Sequence, residues 1–109
     1  MDLRQQRVAK NEALFREVNE RIKEVNLEVA AHEPADFLCE CGSEECTEPI
    51  ALTLAEYEAV RSDPTHFVIV PGHEVPDVER VLSQKERFAI VEKAAPAAAR
   101  IAVEEDPRS

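Results

Sequence analysis

Cys39-Glu40-Cys41-Gly42-Ser43-Glu44-Glu45-Cys46 holds all three cysteines of a 109-residue chain. No other stretch concentrates chemistry in this way. On an extended segment side chains alternate, so Cys39 and Cys41 point to the same side. Gly42 then lets the backbone turn sharply, and Cys46 can return to the same point. Three converging thiols are three quarters of a structural zinc site, which takes four N or S ligands in a tetrahedron. The chain has three histidines to supply the fourth. His73 follows the Pro71-Gly72 turn, directly after an apolar run, and ranks first. His66 begins that run and would lie at its far end, about 20 Å away if the strand is straight, so it ranks second. His32, at the end of the N-terminal helical segment, ranks third. The expected set is Cys39, Cys41, Cys46 and His73 around Zn2+.

Other chemistries are weighed on the same residues. Free thiols can be small buried hydrophobes. Yet Glu40, Ser43, Glu44, Glu45, Thr47 and Glu48 make this segment polar, and a metal would hold it in place. A catalytic thiol needs a positive neighbourhood to form thiolate, and the neighbours here are carboxylates. A dipositive metal reverses that logic by deprotonating its thiol ligands. A four-cysteine iron–sulfur cluster exceeds the three cysteines of one chain. A catalytic zinc bound by the cysteines alone, with Glu74 as general base, would suffer from three thiolates that blunt its Lewis acidity. A redox sensor that ejects zinc on oxidation is compatible with the odd thiol count. With two glycines the chain has no phosphate-binding loop, and neither a Gly-x-Ser-x-Gly elbow nor a His-Glu-x-x-His motif is present.

Upstream, residues 4 to 31 lack glycine and proline and read as one long helix, stopped at Pro34. Val8, Phe15, Ile22 and Val29 recur every seven residues, with Asn11, Val18 and Val25 between them. That is an a/d seam over about three heptads. It fits a helix docked on its own domain, and equally a dimer or partner-binding seam. The Arg7 to Glu12 spacing suits an interhelical pair and favours a parallel dimer.

Downstream, Phe37-Leu38-Cys39 and Ile50 to Leu52 read as short strands. Thr53-Leu54-Ala55-Glu56 is a capping box with Leu52 and Tyr57 placed as its hydrophobic staple, opening a helix to Arg61. His66-Phe67-Val68-Ile69-Val70, apolar on both faces, reads as the central strand. Pro76-Asp77 is expected to open a short helix carrying Val78, Val81 and Leu82 on one face. Phe88 to Val91 reads as the last strand. From Ala94 the chain is rich in Ala and Pro, then acidic, and is expected to be disordered. The fold class is α+β: a long N-terminal helix (1–33), a small mixed or antiparallel sheet with two short helices stapled by metal (34–93), and a tail (94–109).

The formal charge is −10, from 23 acidic and 13 basic residues. Nucleic-acid binding rests on clustered Lys and Arg, and anionic membranes demand the same, so both partners are disfavoured. No apolar run approaches the ~18–20 residues of a membrane span. Met1 to Lys10 is charged, without the apolar core of a signal peptide. Cytoplasmic location is expected.

Phe37-Leu38-Cys39-Glu40-Cys41, Cys46, Glu56-Tyr57 and Pro71-Gly72-His73-Glu74 resemble a group of small uncharacterised bacterial proteins. Those share an F-x-C-E-C, x4-C, P-G-H order after an Asn-Glu-rich helix, here Asn11-Glu12 and Asn19-Glu20. The resemblance spans residues 8 to 93 and implies no activity. It favours His73 as fourth ligand. The expected function is a non-enzymatic, zinc-stabilised protein-interaction or regulatory module, with the N-terminal helix as dimer or partner surface. The alternative is a metal- or thiol-dependent enzyme or redox sensor.

Overall fold

A computed structural model describes residues 3–25, 33–43, 45–46 and 48–107. The elements are α1 (Leu3–Val25), β1 (Ala35–Leu38), β2 (Pro49–Leu52), α2 (Leu54–Arg61), β3 (His66–Ile69), β4 (Glu79–Gln84), β5 (Ala89–Lys93) and α3 (Pro96–Glu104). The architecture is α+β, as expected. The strands form two antiparallel sheets, β1 with β2 and a second in the order β3-β5-β4.

The α2 helix starts at its capping box. Thr53 Oγ1 accepts from the Glu56 N–H at 3.1 Å, and Glu56 Oε1 accepts from the Thr53 N–H at 2.9 Å. The helix buries Leu54, Tyr57 and Val60. The Tyr57 ring stacks on Phe37 of β1 with centroids 4.5 Å apart, so α2 closes over the first sheet. Phe67, Val68 and Ile69 of β3 and Val91 of β5 complete the core, and Cys39 and Cys41 belong to the same buried cluster.

Four expectations are corrected. The central strand of its sheet is β5, with β3 at one side. The His66–Val70 run reads as central because its outer side is also covered. Backbone groups of alternate residues point outward there, and each finds a partner. His66 O accepts from the Arg16 guanidinium. Val68 O accepts from the Glu40 N–H at 2.8 Å, and the Val68 N–H donates to Glu40 Oε1 at 3.1 Å.

The expected helix after Pro76 is instead a turn leading into β4. Val78, Val81 and Leu82 mimic helical spacing because a register shift between Val81 and Ser83 interrupts strand alternation.

The expected disordered tail contains α3. Pro96 opens it, and Ala98 and Ala102 are its buried residues. Alanine is the strongest helix former and lets two backbones approach closely, so few large apolar residues are needed. Asp106 beyond the helix pairs with Arg61 of α2.

On α1, the buried line is Ala9, Glu12, Arg16 and Asn19, one position away from the expected seam. Val8, Asn11, Phe15 and Ile22 are half-buried, while Val18 and Val25 are 37% and 77% exposed. Glu12 is fully engaged with Lys93 inside the domain, so the Arg7–Glu12 pairing across a parallel dimer is not available. Val29, the helix end at residue 31 and His32 lie outside the described residues.

Candidate metal centre

Cys39 leaves β1 still paired, its N–H donating to Glu48 O at 3.1 Å. Cys41 follows two residues on, and Gly42 turns the chain at φ +79°. The Cys46 N–H donates to Ser43 O at 3.1 Å, which folds the loop back. His73 comes from the other sheet. Val70-Pro71-Gly72-His73 is a tight turn closed by the His73 N–H to Val70 O at 3.0 Å, with Gly72 at φ +95°. Proline second and a left-handed glycine third suit a type II turn.

These two turns bring the four expected side chains together. One ligand atom each from Cys39, Cys41, Cys46 and His73 lies within 4.8 Å of all the others. His73 Nδ1 is 3.6 Å from Cys39 Sγ and 3.6 Å from Cys46 Sγ. A zinc tetrahedron with ordinary Zn–S and Zn–N lengths has S···N edges of about 3.5 Å. The spacing therefore suits a metal of that size. His66 is elsewhere: its Nε2 lies 3.2 Å from Glu92 and 3.6 Å from Asp63. Those carboxylates are already engaged, Glu92 with Arg80 at 2.7 Å and Asp63 with the Thr65 N–H at 2.8 Å.

Electrostatics point the same way. Hydrogen bonding with Cys41 and then burial push the Cys39 thiol up. The bond from Cys39 pulls Cys41 down to about 4, and burial raises Cys46. Without a cation the three thiols cannot all ionise side by side. A divalent metal removes that conflict. Backbone donors are in place for the sulfurs. The Val70 N–H reaches Cys39 Sγ at 3.2 Å, and those of Ser43 and Glu48 favour the thiolates of Cys41 and Cys46. Such donors orient metal ligands and temper their charge.

Behind the ligands lies a buried polar network that the sequence did not announce. Glu40 is completely buried between Cys39 and Cys41. Its Oε2 accepts from Asn19 Nδ2 at 2.9 Å and from Tyr57 Oη at 3.2 Å. Burial pushes its carboxyl up, against the opposing pull of Arg16. Asn19 also bonds Leu38 twice, donating to its carbonyl at 2.9 Å and accepting its N–H at 2.7 Å. Arg16 lies 3.7 Å over the Phe67 ring and donates to Pro64 O at 2.9 Å. The available signal was spacing: Ala9, Glu12, Arg16 and Asn19 follow a helical 3-4-3 rhythm, but their polarity hid it.

Cys41, Cys46 and His73 line an open groove of about 660 Å³, bounded by Arg7, Val8 and Asn11 of α1 and by Glu45, Glu48 and Val75. Glu74 is not among its lining residues. The cluster is thus reached from solvent on one side and supported by the Glu40 network on the other. The chain matches no protein-family model, no curated protein and no solved structure.

Proposed function

We propose that this chain is a non-enzymatic module in which Cys39, Cys41, Cys46 and His73 hold one Zn2+ as a structural centre, and that it acts through protein contact. The carrying observation is the mutual approach of four ligand atoms within 4.8 Å. Four protein ligands fill a tetrahedron and leave no position for a reacting water. The Pro-Gly-His triplet of the resemblance supports the same fourth ligand. For contact, α1 turns Leu3, Leu14, Val18 and Val25 outward, a surface for a partner protein or a second copy. The charge of −10 suits a basic partner and disfavours nucleic acid. Among the described residues no helix is long and apolar enough to cross a membrane, and we place the module in the cytoplasm.

Elemental analysis of protein purified without added metal, with its mass measured under native conditions, tests this reading. One zinc per chain and four protein ligands by X-ray absorption are expected. Three protein ligands plus a water would favour the enzyme, and no bound metal would refute the centre. A second reading, a redox sensor, is favoured by Cys46, which is half-buried and lines the groove. Zinc retained after mild peroxide excludes it.

A further inference from the structure

The buried apolar cluster is built from β1, β2, α2, β3, β5, α3 and the adjoining loops. Among the described residues, α1 adds to it only the half-buried Ile22 at its margin. The longest helix is therefore not a core element. It is held largely by polar contacts: some reach Pro64, His66, Arg61 and Lys93, and four hydrogen bonds fall on one short segment. Asn11 Nδ2 donates to Gly42 O at 3.1 Å. Asn19 bonds both backbone groups of Leu38 and the carboxylate of Glu40. Val8 and Glu12 crowd Gly42 so closely that a methyl group there would meet the Val8 carbonyl oxygen at 2.6 Å. Residues 38–42 are also the segment that carries the ligands Cys39 and Cys41.

We infer that docking of α1 is coupled to metal occupancy: the loaded centre fixes residues 38–42 in the shape that α1 grips, and metal loss releases the helix. The inference rests on the zinc reading above and names how that site is regulated. Its physical basis is twofold. A metal would tie the loop of Cys41 and Cys46 to His73 in the turn after β3, so its removal would loosen the loop that carries Gly42 O and leave Leu38 and Glu40 to their hydrogen bonds alone. The buried face of α1 carries Glu12, Arg16 and Asn19, which water can solvate once the helix leaves. An apolar face would resist release, whereas polar contacts are largely replaced by hydration. Local openings of this kind draw on elements with few buried apolar contacts.

Hydrogen–deuterium exchange on the full chain, zinc-loaded and then stripped with a chelator, tests the coupling. Peptides within residues 3–25 should lose protection by at least about tenfold on stripping, while those over β3 and β5 retain theirs. Unchanged protection of α1 would overturn the inference, as would equal loss across all elements. Coupling is reciprocal, so Asn19→Ala should still bind one zinc but with affinity lowered within the roughly 5- to 150-fold range typical of linked sites. Affinity equal to that of the parent would also overturn it. If the parent binds no stoichiometric zinc, the centre itself is refuted and the coupling with it. If zinc binds and α1 does not respond, only the coupling falls.

Discussion

Lys93 Nζ lies 2.6 Å from Glu12 Oε1, joining β5 to α1 across 81 positions of chain. Glu79 of β4 completes the triad from the other side. All three residues are at least 95% buried. One cation shared by two buried carboxyl groups is tolerable in such a place, but a carboxylate left there without the cation is not. Lys93→Met should therefore cost about 3–5 kcal/mol of unfolding free energy. Replacing all three residues by apolar ones of similar size should cost much less, and urea titration of both variants checks the difference.

The same triad sets a pH dependence. Burial outweighs the attraction of Lys93 and holds the Glu12 carboxyl at about 8, above its ordinary 4.5. A raised carboxyl binds its proton more tightly in the folded state. Its contribution is fully present below pH 4.5, declines as pH rises, and is lost above about 8. Glu12→Gln should flatten this part of the stability curve. Urea midpoints at several pH values between 5 and 8 should thus fall more steeply for the parent than for the variant.

Gly42 and Gly72 both take positive φ, at +79° and +95°, but they are not equivalent. A Cβ on Gly42 would meet Glu12 Cγ and Val8 O, each at 2.6 Å, while one on Gly72 meets nothing within 4 Å. Gly72→Ala should cost backbone strain alone, about 1–2 kcal/mol. Gly42→Ala adds overpacking and should cost at least about 1 kcal/mol more. Thermal unfolding of the two variants side by side gives the comparison.

If Cys39, Cys41, Cys46 and His73 hold zinc as proposed, loss of the ion should destabilise the fold. His73→Ala and Cys41→Ser should lower the melting temperature sharply, because metal binding energy is folding energy in a small domain. A chelator should lower the melting temperature of the parent and leave these variants nearly unchanged. Identical melting of the parent with and without chelator would refute the metal contribution.

That Cys39, Cys41, Cys46 and His73 come together was legible because their types and spacing are rare. Thiols at 39, 41 and 46 and a histidine after Pro-Gly leave few geometries. The capping box at Thr53 and the β-branched run of β3 were legible because local chemistry sets them. The supporting residues were not. Glu12, Arg16, Asn19 and Glu40 look like solvated surface, since nothing in one chain segment reveals a partner such as Lys93 or Tyr57 far along the sequence. The strand β4 hid behind its irregular register, and α3 behind the small size of alanine. The seam on α1 misled for a related reason: a seven-residue rhythm of Val, Phe and Ile marked the flank of the buried face, whose centre is polar.

One consequence concerns solubility. An unpaired strand at the side of a sheet is a template for another chain, and proteins commonly blunt it with a bulge, a proline or a charge. Here β3 is closed by a carboxylate and a sulfur, with Glu40 on Val68 and Cys39 on the Val70 N–H. The plug is the segment that carries the candidate ligands Cys39 and Cys41. Peeling it away would bare a Phe-Val-Ile run with open backbone donors, the kind of sequence that adds strands between molecules. If Cys39, Cys41, Cys46 and His73 hold zinc as proposed, the same ion that braces the loop would also keep this strand side covered.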